Sequence, residues 1–258
     1  TKKLFRRNST FTKVFPQIHS CGDFMNIKAF QQQFDKLYPS NKIGKVTSAY
    51  EYTFIRKMLD PSPSIIGMSS LKKLRLLHLA YSFLEPNESY LEIGTYTGKS
   101  LISAVAHNAR RTTYACDNFS QFNDTSSENI LLANLEKYGV KNDVNFFNSD
   151  FRKILNDRFI KHPIGLYLYD GGHDFDSQYQ AIKLAEHLLS DNALVIVDDW
   201  RFADDSHSYA KAGTLKAIEE SKQSYELLYE LSARHNGDHA MWWNGVGVIA
   251  FSRLPLKG

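Results

Sequence analysis

The stretch Leu91–Ser100, LEIGTYTGKS, is the part of the sequence that decides the fold. The strand-forming run SYLEI enters it, and Gly94 and Gly98 follow before an apolar helical pattern begins. Glycines at such a turn let the backbone approach a ligand closely, and the first turn of the next helix offers free N–H groups. Because ligands of open parallel sheets bind beyond the carboxyl ends of the strands, we predict a strand, a ligand-binding turn and a helix here.

The spacing of the glycines argues against two kinds of phosphate-binding loop. A loop that cradles nucleotide phosphates has four residues between its first glycine and Gly-Lys-Ser/Thr, whereas GTYTGKS has three. The dinucleotide pattern G-x-G-x-x-G needs a glycine where this chain has Tyr96. Glu92, at the end of the strand, suits a cationic or hydroxyl-rich ligand better than a pyrophosphate.

From Ser89 onward, strand-forming runs alternate with helical patterns. Five such units in succession indicate a parallel sheet with helices on both faces. Two final runs, YELLYELSA and VGVIAFS, have no helix between them and should pair antiparallel at an edge. The prediction is an α/β fold with a doubly wound, mostly parallel seven-stranded sheet and a C-terminal edge hairpin. Alternation alone would equally allow a nucleotide-binding dehydrogenase domain.

The first part of the chain lacks strand-forming runs. Apolar residues at helical spacing predict helices over Phe24–Tyr38, Val46–Leu59 and Ser69–Leu84. We therefore divide the chain into an N-terminal helical extension, residues 1–66, and a ligand-binding domain, residues 67–258.

The composition of the chain limits the kinds of binding partner that we predict for it. The net charge of +3 is too small to indicate a nucleic-acid or membrane-surface partner. No apolar run approaches the roughly 20 residues that a membrane span needs, and the chain starts without an apolar leader. The two cysteines, Cys21 and Cys116, cannot form a disulfide framework. These features predict a cytoplasmic protein.

LEIGTYTGKS resembles motif I of the class I methyltransferases, which use S-adenosylmethionine, and especially the catechol and caffeoyl-CoA O-methyltransferase branch. The resemblance covers about Ser69 to Arg253 and implies a Rossmann-like class I methyltransferase fold. In that group, the acidic residue and the glycines hold the methionine end of the cofactor. The cofactor residues that it implies in this stretch are Glu92, Gly94, Thr95, Tyr96, Gly98 and Ser100.

Two further acids follow the next strands. Asp117 ends the run TTYACD. The resemblance implies that Asp117 binds the ribose of the cofactor, because a carboxylate can accept a hydrogen bond from each of two hydroxyls. The alternative is a solvated loop acid or a helix cap. Asp150 resembles the residue that contacts the adenine amine, but it could equally cap the helix that begins at Phe151.

Three more carboxylates stand at the ends of strands four and five. Asp170 follows IGLYLY, and Asp198 and Asp199 follow ALVIV. Adjacent parallel strands bring such ends together, and the carboxylates would repel each other unless protonated or neutralised by a cation. Oxygen ligands suit a hard divalent ion, most naturally Mg²⁺, with Mn²⁺ or Ca²⁺ as alternatives. Individually, these acids could also be helix caps or loop residues.

His173 lies three residues after Asp170. An imidazole could take the proton of an acceptor hydroxyl as methyl transfer begins, so we predict catalytic roles for His173 and Asp170. The cluster resembles the metal-dependent O-methyltransferases of macrolide and aminocoumarin sugars, in some of which a histidine stands where the catechol branch has lysine. His173 could also merely cap the next helix.

The acceptor side is predicted from polar and aromatic residues. The loop Trp200–Ala212 is polar, and Trp242 and Trp243 could face a sugar or polyphenol, or instead pack against the edge strands.

The predicted function is metal-assisted O-methylation of a small-molecule hydroxyl, in a glycoside or other secondary metabolite. Alternatives are another reaction on the same fold, such as that of hydroxylase-labelled relatives or a hydrolase, and a non-catalytic scaffold. In related enzymes, N-terminal extensions cover the site or build the oligomer. We therefore predict that residues 1–66 form a lid or contribute to a homo-oligomer.

Overall fold

A computed structural model of the chain describes residues 24–59, 64–121, 126–156, 158–201 and 209–255. Cys21 and the middle of the predicted acceptor loop lie outside these ranges. The elements in chain order are α1 (Ile27–Leu37), α2 (Ser40–Ile43), α3 (Ala49–Met58), α4 (Leu71–Tyr81), β1 (Ser89–Ile93), α5 (Lys99–Val105), β2 (Thr112–Asp117), α6 (Ser127–Lys137), β3 (Val144–Asn148), α7 (Phe151–Asn156), β4 (Ile164–Tyr169), α8 (Phe175–Ala185), β5 (Leu189–Asp198), α9 (Ala210–Glu219), β6 (Ser224–Leu231) and β7 (Val246–Ser252).

The seven strands form one sheet in the order β3-β2-β1-β4-β5-β7-β6. Strands β1 to β5 are parallel, and β7 lies antiparallel between β5 and β6. The predicted doubly wound sheet with its C-terminal hairpin is therefore confirmed. The chain order reverses between β1 and β4, so a ligand site is expected at the carboxyl ends of these two strands.

The two faces of the sheet bury different side chains of the same strands. In β4, Leu166 and Leu168 pack in the core with α4, α5 and α6, while Tyr167 and Tyr169 pack in a second core with α7, α8 and α9. This alternation follows from the two-residue period of a strand. Every residue of β1 and β4 is buried. Burial on both faces explains why β4 carries no polar side chain apart from its tyrosine hydroxyls, whereas β1 buries Ser89 and Glu92.

Helix α1 packs against the hairpin edge of the sheet. The rings of Phe34 and Tyr229 lie 4.5 Å apart, and those of Tyr38 and Trp242 lie 5.1 Å apart. Trp242 is 1% exposed and donates its indole N–H to the carbonyl of Ile43 at 3.1 Å. Of the two predicted uses of Trp242, the structure shows packing, and it joins part of the N-terminal extension to the main core.

Helix α4 is buried on all sides. All eleven of its residues are inaccessible or nearly so, including the neighbouring lysines Lys72 and Lys73. The hydroxyl of Ser70 begins the helix by accepting a hydrogen bond from the backbone N–H of Lys73 at 3.2 Å. Among the described residues, none forms a helix long and apolar enough to cross a membrane.

Candidate active site

The glycine turn after β1 is built around one close backbone contact. Gly94 has φ +86°, and a Cβ added to it would lie 1.9 Å from the carbonyl oxygen of Asp170. The backbone N–H of Asp170 donates to the carbonyl of Ile93 at 2.9 Å, which fixes the ends of β1 and β4 against each other. Gly98 caps α5 at φ +88°. Glycine is therefore required at both positions by the backbone itself.

Most of the predicted site residues line one cleft above this turn. It encloses about 780 Å³ of empty space, part of it open solvent. From the predicted cofactor set it is lined by Gly94, Thr95, Tyr96, Ser100 and Asp117. From the predicted metal and catalytic set it is lined by Asp170, His173, Asp198 and Asp199.

Glu92 lies behind the wall of the cleft. It is fully buried, and its carboxylate accepts hydrogen bonds from the Ser100 hydroxyl at 2.7 Å and the Tyr90 hydroxyl at 2.5 Å. Burial raises the pKa of Glu92 to about 7. The structure thus gives Glu92 the task of orienting Ser100, and its direct contact with a cofactor stays a prediction.

The raised pKa of Glu92 predicts a pH-dependent stability. The folded protein binds this proton more tightly than the unfolded chain, so stability is lost as the pH rises from about 4.5 to about 7. The loss attributable to this group is about 3 kcal/mol. In a Glu92→Gln variant, urea unfolding at a series of pH values should show a correspondingly flatter dependence. Equal slopes in the two proteins would show that folding does not raise the pKa of Glu92.

Asp117 shapes the turn from the end of β2. Its carboxylate accepts the backbone N–H groups of Tyr96 and Phe119, each at 2.7 Å. Both of those residues have positive φ values, 47° and 52°, although neither is glycine. Such conformations persist where surrounding contacts impose them, and they cluster at functional sites. Asp117 borders both the main cleft and an adjoining cavity.

Asp150 faces the adjoining cavity rather than the main cleft. Its carboxylate accepts the backbone N–H of Arg152 at 2.8 Å in the first turn of α7. The cap-like contact that the sequence allowed is therefore present, and the adenine role of Asp150 stays a prediction.

A lysine that the sequence analysis did not select joins two of the acidic strand ends. Lys73 donates to Asp170 at 2.8 Å and also to Asp198, and its side chain has no exposed surface. Burial opposes the charge on Lys73, but the two carboxylates outweigh it and raise the pKa of the lysine. The one signal in the sequence was a pair of neighbouring lysines within a leucine-rich helix.

Asp199 is paired with His173 instead. The Nε2 atom of His173 lies 2.6 Å from one oxygen of Asp199, and the amide of Asn244 donates to the other at 2.7 Å. The hydrogen bond to Asp199 raises the pKa of His173. Burial works in the opposite direction, yet the bond to His173 lowers the pKa of Asp199 to about 2. Asp199 itself has φ +55°.

The group best placed to bind a metal ion consists of Asp170, His173 and Asp199. One possible ligand atom from each lies within 4.8 Å of the others. Asp198, the remaining predicted ligand, gives one oxygen to Lys73 instead. Carboxylate oxygens beside an imidazole nitrogen are a donor set that Mn²⁺ and Mg²⁺ sites can use. The predicted ligand set of Asp170, Asp198 and Asp199 stays a prediction.

Charge and hydrogen bonding both fit a divalent cation at this cluster. Burial, together with repulsion by a neighbouring carboxylate, raises the pKa of Asp170 well above its ordinary value, and burial also raises the pKa of Asp198 despite Lys73. The buried Oδ1 of Asp198 has no hydrogen-bond donor within the described ranges. In the deprotonated form that metal binding requires, with His173 neutral, the three carboxylates and the Lys73 ammonium would carry a net charge of −2. The residues therefore fit one divalent ion.

On the acceptor side, Trp243 lines the cleft while Trp242 does not. Trp243 has φ +62°, and its ring packs against that of His239 at 4.7 Å between centroids. The backbone conformation turns the two neighbouring tryptophans to different surroundings, one in the core and one at the site.

Comparison with known proteins agrees with this geometry. Residues 91–200 match the family described as a methyltransferase domain. A curated endoglucanase from Clostridium saccharobutylicum is 25% identical over 198 residues, which are 72% of this chain and 43% of that relative, so the chain spans less than half of its length. A similar solved structure is that of TomG, an O-methyltransferase from Streptomyces achromogenes that is involved in tomaymycin synthesis and was solved with S-adenosylmethionine. The similarity covers 87% of this chain and 96% of TomG, with a TM-score of 0.55 and 18% sequence identity.

A second similar structure is an O-methyltransferase from Bacillus cereus solved with S-adenosylhomocysteine. Its TM-score is 0.54 at 14% identity, over 87% of this chain and 97% of that one.

The strand order, the edge hairpin and the glycine turn define a class I methyltransferase fold, as predicted. Within the chain, the match to a methyltransferase domain spans residues 91–200, and the sheet has the predicted class I methyltransferase fold. The matched segment begins within β1 and ends just beyond Asp199.

Proposed function

We propose that this protein transfers the methyl group of S-adenosylmethionine to a hydroxyl oxygen of a small molecule, with the assistance of a divalent metal ion. The proposed acceptor is a glycoside or other secondary metabolite. The observation that carries this proposal is that one cleft is lined by the cofactor turn and by the Asp170–His173–Asp199 group. The similarity in fold to O-methyltransferases supports transfer to oxygen.

The cofactor is proposed to lie along the glycine turn. Ser100, held by Glu92, would bind the methionine end together with the backbone of Gly94, Thr95 and Tyr96. Asp117 stands between the main cleft and the adjoining cavity, a position that suits a ribose lying between methionine and adenine. Asp150 would then meet the adenine in the adjoining cavity.

Asp170 and Asp199 would hold the metal ion, Mg²⁺ or alternatively Mn²⁺ or Ca²⁺, and Asp198 would add its negative charge. When bound, such an ion lowers the pKa of an acceptor hydroxyl and orients its oxygen. The carboxylates also make the cleft electrostatically suited to the positively charged sulfonium cofactor.

His173 is proposed as the general base. Its Nε2 faces Asp199, which leaves Nδ1 as the atom that accepts the hydroxyl proton in the neutral ring. The side chain is 35% exposed, so it can meet an acceptor in the cleft. As the acceptor oxygen forms its bond to the methyl carbon, the carbon–sulfur bond breaks and S-adenosylhomocysteine leaves. Correct positioning of the two reactants supplies much of the acceleration.

The remaining parts of the proposal concern the protein's context. We place it in the cytoplasm, as a homo-oligomer without nucleic-acid or membrane partners, and give residues 1–66 a role as a lid or in oligomerisation. Exposed apolar side chains in that region, among them Tyr50 and Ile66 at 83% and 79% exposure, support a covering partner or ligand.

Release of S-adenosylhomocysteine across a panel of hydroxylated acceptors tests the proposal. Release should require both cofactor and acceptor, vanish with EDTA and return with Mg²⁺. Full activity in EDTA would remove the metal from the proposal while leaving methyl transfer intact. Acceptor turnover without cofactor would favour a hydrolase, and cofactor binding without turnover of any acceptor would favour a scaffold.

A further inference from the structure

Lys73 is a buried charge at the centre of the site. It occupies the third position of α4, and its ammonium bonds to Oδ2 of Asp170 at 2.8 Å and to Oδ2 of Asp198. Its side chain has no exposed surface, and the Asp198 side chain is 2% exposed. A charged pair this deeply buried persists only where its geometry and partners compensate for lost hydration.

The adjacent lysine shows that burial in α4 does not by itself produce this arrangement. Lys72 is also buried, but its ammonium donates to the backbone carbonyl of Lys45 and lies 5.4 Å from the centroid of the Tyr38 ring. It touches none of the acidic strand ends. Lys72 therefore serves as a matched reference for a buried lysine in the same helix outside the site.

The contacts of Lys73 divide the acidic cluster into two parts. Asp198 gives one oxygen to Lys73, whereas Asp199 is bound by His173 and Asn244. Asp170 belongs to both parts, because it contacts Lys73 and also lies in the group with His173 and Asp199. Removing the ammonium would free Asp198 to act as a further ligand and would add one uncompensated negative charge.

We propose that Lys73 is a fixed positioning cation that withholds Asp198 from the metal and leaves Asp170 and Asp199, beside His173, to hold a single divalent ion. This inference rests on the proposed metal-assisted function. It assigns α4 a part in the site, since the helix delivers one of the charges that set the affinity and position of the ion. Loss of this charge should strengthen metal binding, which is the opposite of what a merely structural residue would do.

The test uses calorimetric titration of the full chain with Mn²⁺, without cofactor or acceptor. Lys73→Met removes the charge, and Lys73→Gln removes it while keeping a hydrogen-bond donor. Both variants should bind Mn²⁺ on the order of tenfold more tightly than the wild type, because one positive charge near the ion is gone. Lys72→Met should match the wild type. The melting temperature of each Lys73 variant should fall in EDTA and rise more with Mn²⁺ than that of the wild type.

The outcomes separate this inference from the proposed function. Mn²⁺ affinity in Lys73→Gln that equals or falls below the wild-type value would overturn the role of Lys73, and this holds even if Lys73→Met fails to fold. Wild-type protein that binds no Mn²⁺ would overturn the metal part of the proposed function. Binding that appears only in the Lys73 variants would support the charge role of Lys73 and contradict metal assistance in the native enzyme.

Discussion

Replacing His173 with alanine is expected to lower kcat by about two to four orders of magnitude, the usual contribution of a positioned general base. The affinity for S-adenosylmethionine should stay unchanged, because the ring is bonded to Asp199, which lies outside the glycine turn. Steady-state kinetics with a responsive acceptor and calorimetry with the cofactor measure the two quantities. His187→Ala is the control, since this exposed histidine lies just before the amino end of β5, whereas the site lies at the carboxyl ends of the strands.

The same variant distinguishes a base from a metal ligand. His173 lies in the group with Asp170 and Asp199, so its ring nitrogen could contact an ion directly. If His173 acts only as the base, His173→Ala loses rate while binding Mn²⁺ as the wild type does. A large fall in Mn²⁺ affinity would make it a ligand, and an unchanged rate would remove it from the mechanism while leaving the carboxylates in place.

Replacing Gly94 with alanine is expected to destabilise the protein by roughly 3–5 kcal/mol, from backbone strain plus overpacking. The added Cβ would meet the carbonyl oxygen of Asp170 at 1.9 Å, and the residue has φ +86°. Neither strand end can move without disturbing the register of β1 and β4. Chemical denaturation measures the loss, and any folded fraction should have lost cofactor affinity.

Gly139→Ala is the matched control for this substitution. Gly139 also has a positive φ, +66°, but nothing lies within 4 Å of an added Cβ. It should therefore cost only the backbone strain, about 1–2 kcal/mol. Equal losses in the two variants would mean that the contact between the ends of β1 and β4 is not rigid.

The parts of the molecule that the sequence predicts well depend on local patterns. The apolar runs LYLY of β4 and ALVIV of β5 predict buried parallel strands because each run is continuous. Once the sheet is parallel, the acids after β4 and β5 must meet at one edge, which is why Asp170, Asp198 and Asp199 could be grouped in advance. The glycines of the turn could likewise be selected from local sequence, whereas the contact of Gly94 with Asp170 follows from the pairing of β1 with β4.

What escaped prediction depends on contacts between distant parts of the chain. Lys73 lies 97 residues before Asp170 and 125 before Asp198, and no spacing rule connects a helix residue to those strand ends. The burial of Trp242 in the core and the position of Trp243 at the cleft depend on the packing of α1 against the hairpin. The hydrogen bond between Glu92 and Ser100 was likewise not foreseen, and the predicted contact of Glu92 with the cofactor stays a prediction.

Calorimetric titration of the wild-type protein with S-adenosylmethionine measures most directly whether the turn at Leu91–Ser100 is a cofactor site. We predict saturable binding at one site per chain with micromolar affinity, competitive with S-adenosylhomocysteine. The Gly139→Ala variant should bind equally well, because its glycine lies outside the two cavities. Absence of binding by folded wild-type protein at millimolar ligand would contradict the assignment of this cleft to S-adenosylmethionine.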